Sequence, residues 1–518
     1  MNNRTTLLWA SFLTLIAAGV GFAIRGGILG DWGAQYGFTK GELGTITGGG
    51  LVGFGVTILI CSLIVDRIGY KPLLVVAFLL HALSAVITLG ATPIYNSMGK
   101  DATYWCLYLG MFMFALANGM CEAVINPLVA TLYPKQKTHY LNILHAGWPG
   151  GLILGGVFAY LFCGPGAMIT HLRWEIPMAL FLVPTVFYGL MVLKEKFPES
   201  EATAAGVSFG EQLATFASPV LLFLLFLHAC IGYVELGTDS WITNIMNNVV
   251  GSYAMLLFVY TSALMFVLRF FAGPIVERIN PVGLLMVSSI LGCIGLYWLG
   301  SSSGLILVAA ATVYALGKTF LWPTILGVVG ERFPKGGALV MGAMGGIGML
   351  SAGLLGGPGI GFKQDYYASK TLNAEAPETY NRYKAANENS FLFFSARGLD
   401  GSRVATVEDG GKQLATDIAA VERSGRKLAD VQGLAALAAW WNDEGKPNMD
   451  TDQKPVKNAT ITGGQRALQM TAAVPATMAV GFGLLFLFFV MTGGYKQIEI
   501  HHGEGEKYTG GVEGPVQA

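Results

Sequence analysis

Twelve apolar runs recur along the chain, each close to the roughly 20 residues an α-helix needs to cross the hydrocarbon of a bilayer. They fall at 7–29, 43–65, 72–94, 104–133, 140–163, 174–194, 218–238, 252–276, 281–300, 304–331, 337–362 and 471–493. One water-soluble core cannot absorb them: 53% of the 518 residues are hydrophobic and 12% are charged, so the solvent for most of this surface is lipid. The runs are continuous rather than alternating segments of roughly ten residues, which excludes a membrane β-barrel. The expected fold is all-α, twelve transmembrane helices in two six-helix bundles. The first run resembles a secretion signal, but spans of the same kind follow it, so it reads as a retained first span.

Charge fixes the orientation and removes one class of function. Formal net charge is zero and the basic residues are scattered, which leaves no footprint for nucleic acid. With the N-terminus inside, the short inner segments carry Arg4, Arg67, Lys71, Lys135, Lys137, Lys194, Lys196, Arg278, Arg332, Lys335 and Lys496, against Lys40, Lys100 and Arg173 outside. This bias places both termini in the cytoplasm of a cell whose inner (plasma) membrane holds the chain. The expected organisation is a first bundle over 1–196, a cytoplasmic linker over 197–217, five helices over 218–362, an outer insert over 363–466, the twelfth helix over 467–494 and a cytoplasmic tail over 495–518. The insert, with its Trp440-Trp441 pair and a helix-like run from Val404 to Asn442, is either a small ordered cap or a disordered loop. The six cysteines show no metal spacing and read as small packing residues, with a Cys106–Cys163 bridge as the alternative.

An internal repeat is visible. Asp66-Arg67-Ile68-Gly69 follows the second run and Glu277-Arg278-Ile279-Asn280 follows the eighth, 211 residues later, as expected of two parallel halves. This acid-Arg-Ile core resembles the signature loop of the major facilitator superfamily, departing from it in having Tyr70 before Lys71. In the fourth run, Glu122-x-x-x-Asn126-Pro127 with Leu141-Asn142 downstream looks like the fucose/proton symporter branch, as do Gly232–Trp241 and Trp322-Pro323-Thr324-Ile325. The resemblance implies proton coupling and sugar binding at Glu122. That branch's first-span aspartate has no counterpart here, and Arg25 and Gly26 occupy the neighbourhood.

Ionisable groups at bilayer depth cost at least a few kcal/mol, so each is a candidate for function. Arg25, Glu122, Glu235 and Lys318 lie in spans one, four, seven and ten, the spacing of cavity-lining helices in a three-plus-three repeat. A rise of 1.5 Å per residue sets Arg25 and Glu235 in the outer third and Glu122 and Lys318 in the inner half. Two ionic contacts between the halves are expected, Arg25 with Glu235 and Glu122 with Lys318; four charges solvated separately in a wet cavity is the alternative. Exchange of Arg25 and Glu235 should then restore part of the transport lost in either single variant. Glu122 is the first candidate proton carrier and Glu235 the second. Asn118, Asn126, Asn142 and Trp322 complete the expected substrate site, as donors, acceptors and an aromatic plate for a sugar. Trp322 and His145 also fit plain packing, while Asp239, Asp31 and Trp241 fit solvated or interfacial positions. Asp66, Arg67, Arg269, Glu277 and Arg278 are expected to form a conformational latch at the inner face, with simple interfacial anchoring as the alternative.

The glycine runs Gly48–Gly55 and Gly342–Gly361 let helices approach and slide. Neither joins a strand to a helix or precedes a Walker lysine, so ATP is not the expected energy source, and no cofactor or metal is called for. The leading expectation is a monomeric secondary transporter that imports a monosaccharide with a proton. The others are a carrier of an anionic solute such as a sugar acid, and a membrane receptor whose bundle no longer transports. Deleting 366–464 separates the last, since transport survives if the bundle is the machine. A membrane enzyme is disfavoured, because no nucleophile-base pair is visible.

Overall fold

In the computed structural model of the protein, the described residues are 3–499 apart from 39, 49, 164–166, 252, 424 and 426, together with 501–502 and 506–507. Most of the expected tail, and Gly49 of the first glycine run, lie outside them. The first bundle consists of Arg4–Gly27, Thr45–Ser62, Tyr70–Leu89, Ala91–Leu132, Lys137–Phe162 and Glu175–Lys194. The second consists of Pro219–Val250, Tyr253–Arg269, Ala272–Leu299, Ile306–Arg332, Pro334–Glu375 and Met449–Met491. These are the twelve spans, counted below in this order. Large apolar side chains such as Leu79, Val86, Phe187, Leu222 and Leu484 are exposed on the perimeter, where lipid covers them.

The eighth span is longer than its first helical segment. After a two-residue break at Phe270 and Phe271 the helix resumes and runs to Ile279; the chain then turns at Asn280 (φ 54°, ψ 165°) into the ninth span. The same turn occurs in the first bundle at Gly69 (φ 89°, ψ 165°). The repeat seen in the sequence is therefore a repeat of backbone conformation. Glycine meets that positive φ without a Cβ clash, whereas Asn280 meets it with a local hydrogen bond, its Oδ1 accepting from the Gly283 N–H at 2.9 Å.

The halves meet mainly through the second span against the eleventh and the fifth against the eighth and tenth. Glycine permits the first of these contacts: a Cβ at Gly342 would fall 1.6 Å from Ser62 Oγ, and one at Gly346 would fall 2.5 Å from the Leu59 side chain. Both ends of the described chain lie on one face, where Asn3 Nδ2 donates to Glu195 Oε2 and Ile498 N donates to Glu331 O. We call this the terminal face.

The insert is an ordered cap on the opposite face. The eleventh and twelfth spans project beyond the bundle as Gly357–Glu375 and Met449–Thr471, packed along each other. The helix-like run expected over Val404–Asn442 is not one helix. Gly410 and Gly411, both at positive φ, end Gly401–Asp409, and Lys412–Arg423 and Gln432–Trp440 follow as separate helices. Tyr383, Val407, Trp440, Trp441 and Val456 form the cap's own core. Asp452, fully buried, accepts from Arg382 Nη2 at 2.5 Å and Thr379 Oγ1 at 2.8 Å, so its charge is satisfied within that core. Although the second bundle carries the cap, its Lys412–Arg423 helix packs on Leu29–Tyr36 of the first. All six cysteines are free, and Cys106 Sγ donates to the Ile87 carbonyl, so the alternative bridge to Cys163 is not formed.

Candidate functional site

The site is built where helices break. Glu235 sits in a π-turn, Tyr233–Gly237, inside the seventh span. Lys318 is the last residue of the first segment of the tenth span, before a break at Thr319 and Phe320. Arg269 ends the first segment of the eighth. In lipid, backbone freed at such breaks must find partners inside the protein. Arg269 supplies one, its Nε donating to the Thr319 carbonyl at 2.8 Å. Its Nη1 donates to the His145 carbonyl of the fifth span at 2.6 Å, and its Nη2 to Glu235 Oε1 at 3.0 Å. One guanidinium thus ties three broken or kinked helices and crosses between the halves.

Arg269 is therefore not part of a latch at the inner face, as the sequence suggested. It lies eight residues before Glu277, about 12 Å deeper at 1.5 Å per residue, and is 1% exposed. The two expected ion pairs are also replaced. Glu235 is held by Arg269 rather than Arg25, because Arg269 approaches it from the neighbouring helix of the same bundle. Lys318 reaches Asp239 Oδ1 at 2.6 Å rather than Glu122. Asp239, read as a solvated outer residue, is thus an ion-pair partner one turn from Glu235.

In the first bundle the arrangement differs. Arg25 lies over the Phe114 ring at 3.8 Å and the Phe181 ring at 4.8 Å, with Nη1 donating to Gly21 O at 3.3 Å. Its Nε and Nη2 are buried and meet no partner among the described residues. Gly21 makes this stack possible, since a Cβ there would fall 2.6 Å from the Phe114 ring. Glu122 Oε2 accepts from Asn126 Nδ2 at 2.7 Å, an i,i+4 contact that brings both groups to one face just before Pro127. Asn126 Oδ1 in turn meets His145 Nε2 at 2.9 Å. The result is a polar chain from Glu122 through Asn126 and His145 to Arg269 and Glu235, spanning both halves. Asn118 leaves the face expected for it and engages His81, which also meets Tyr188.

Trp322 is buried against the imidazole of His228, ring centroids 4.5 Å apart, and both His228 nitrogens lack a partner among the described residues. Asn142 Nδ2 donates to Thr324 Oγ1 across the halves at 3.1 Å, while Asn142 Oδ1 and Glu235 Oε2 meet no partner among the described residues. Buried polar atoms without partners are rare in native proteins and need a reason. His81 and His228 were the missed signal, histidines inside apolar runs, and His145, which also fits plain packing, lies in the polar chain.

The terminal face is closed by bonds from the first bundle to the 197–217 segment and to the second bundle. Lys137 Nζ donates to Glu201 Oε2 at 2.6 Å and to the Gly330 carbonyl at 3.0 Å, and Thr138 donates from its N–H and hydroxyl to Glu331 Oε1. Of the expected latch, Asp66 takes part: its Oδ2 accepts from Gln212 Nε2 at 2.9 Å and lies against Gly337, where the eleventh span begins. Burial pushes its carboxyl above the ordinary range, against the hydrogen bond from Gln212. Arg67 lies over the Phe209 ring, and Glu277 and Arg278 are exposed.

The family model of the Major Facilitator Superfamily matches residues 11–357. The chain belongs to that superfamily. No curated protein matches it. Among solved structures, the fucose:proton symporter of E. coli is 17% identical, with 70% of this chain and 92% of that one covered at a TM-score of 0.57. A proton:xylose symporter bound to 6-bromo-6-deoxy-D-glucose is 13% identical, with 68% and 87% covered at 0.56. The human organic anion transporter MFSD10 is also 13% identical, with 92% and 99% covered at 0.54. At such identities the likeness is one of fold.

Proposed function

We propose that the protein is a secondary transporter of the inner (plasma) membrane that imports a monosaccharide with a proton by alternating access, both termini cytoplasmic. The observation that supports this reading is a set of buried groups without partners among the described residues: Glu235 Oε2, Asn142 Oδ1 and the His228 imidazole beside the Trp322 indole. Donors and acceptors next to an aromatic plate suit a polyol. Glu122 is the proposed proton carrier. Its carboxylate is held by an amide and not by a cation, so protonation breaks no ion pair. Asp66, with Lys137–Glu201 and Thr138–Glu331, is the proposed bolt of the terminal face, released when that face opens.

Uptake of labelled glucose, fucose and xylose into proteoliposomes tests this. Accumulation driven by an inward proton gradient is expected; accumulation that follows sodium and ignores pH overturns the coupling. A second reading has its own support. Arg25, buried with two unpartnered nitrogens, is suited to a carboxylate, so the solute is alternatively a sugar acid. Competition by glucuronate stronger than by glucose selects it.

A further inference from the structure

A cavity of about 540 Å³ lies between the cap and the outer half of the seventh span. From the seventh span it is lined by Trp241, Asn244 and Asn248, spaced three and four residues apart and so on one helical face. From the cap it is lined by Asp365 and by Phe391 of the hairpin Asn389–Phe391/Phe394–Ala396. The hairpin is tied to the floor, with Asn389 Nδ2 donating to Asp365 Oδ2 at 3.2 Å. Trp241 is also fixed, its indole N–H donating to the Gly357 carbonyl at 2.8 Å. Gln364 brings to the same wall an amide nitrogen that is buried and unpartnered among the described residues.

This cavity lies on the face of the seventh span opposite the Asp239–Lys318 pair. At 100° per residue, Trp241 and Asp239 are about 200° apart on their helix, so Asp239 and its partner Lys318 face the bundle interior while Trp241 faces the cap. The chemistry of the lining selects a ligand. Two aromatic faces offer C–H stacking, and the amides offer both donors and acceptors. No lysine or arginine lines it, while Asp365 and Glu408 do, which disfavours an anion. The volume falls in the range of small-molecule sites and leaves room for more than one pyranose ring.

We infer that the cap forms a second binding site, outside the translocation path, for an uncharged mono- or oligosaccharide. The inference goes beyond the proposed transport function and does not need it, because the lining alone sets the chemistry. It is tested by hydrogen-exchange mass spectrometry on the full-length protein in nanodiscs, with glucose, maltose and maltotriose as probes. Protection is expected in peptides covering 241–248 and 389–408, and Asn248→Leu is expected to weaken it about tenfold, as loss of a buried amide contact does. Arg269→Gln should leave cap protection intact even if it removes protection around 118–145, so failure of the central site is separable from failure of this one. A variant at a different wall, Phe391→Ala, should weaken cap protection without shifting the thermal unfolding midpoint much, because Phe391 lies outside the cap core. Absence of protection with all three sugars, or protection by tetramethylammonium in their place, overturns the inference.

Discussion

In the second bundle each of the two buried cations of the site has an acid within hydrogen-bond reach, Arg269 with Glu235 and Lys318 with Asp239. In the first, Arg25 lies on two phenyl rings and Glu122 is held by an amide, though both bundles carry the same loop repeat. A buried ion pair is costly to break, because the remaining charge is left in a low dielectric. A carboxyl beside an amide, and a guanidinium on aromatic faces, can change partner or protonation at less cost. The difference assigns the fixed part of the site to the second bundle and the exchangeable part to the first.

The largest effect should come from the fixed part. Arg269→Gln leaves Glu235 buried without its cation and unpins the Thr319 and His145 carbonyls, so a loss of about 3–5 kcal/mol of stability is expected, with transport abolished. The double variant Arg269→Gln, Glu235→Gln should recover most of the thermal stability but none of the transport; a double variant as unstable as the single one breaks the assignment. Next, Glu122→Gln should abolish proton-driven accumulation while solute exchange persists, measured as counterflow in preloaded vesicles. If counterflow disappears too, Glu122 belongs with the fixed charges.

Arg25 should matter less for stability and more for solute choice. Removing the nearer of its two cation–π contacts by Phe114→Leu costs roughly 1–2 kcal/mol, read by thermal unfolding. Arg25→Met should lower uronate competition more than glucose competition if the second reading holds. The two repeat turns sharpen the comparison at the backbone: Gly69→Ala should cost about 1–3 kcal/mol, the strain of holding an L-residue at positive φ with extended ψ, while Asn280→Gly should be close to neutral in the same unfolding assay. The smallest effect is expected at Asp66. Its pKa is raised in the closed arrangement and returns to the ordinary range when the face opens. Acidification from above the raised value therefore favours closure until both states are protonated. Asp66→Asn should remove that pH dependence, read as the spin-label distance between positions 135 and 335 in a cysteine-free background.

The spans, the repeat and the polar insert between the last two spans were legible because lipid solvation acts on each helix by itself. Twenty apolar residues mean the same thing wherever they pack, and the acid-Arg-Ile loop meant the same thing twice, down to the positive φ shared by Gly69 and Asn280. The buried charges were legible as charges for the same reason: Arg25, Glu122, Glu235 and Lys318 are all buried. Their partners were not legible. Arg269 was expected at the inner face although the eighth run extends seven residues past it to 276, and Asp239 read as solvated because the seventh apolar run stops at 238, whereas the helix continues to Val250.

By itself, then, the sequence determined which segments enter the membrane, that they come as two related halves, and which polar groups go with them. Only the tertiary structure decided which acid meets which base, whether the insert folds, and where cavities remain. Transfer into lipid is a property of a segment, whereas an ion pair is set within an ångström by how neighbouring helices rotate, break and cross. That rotation depends on glycines, prolines and π-turns acting across the whole bundle, and no single segment carries it.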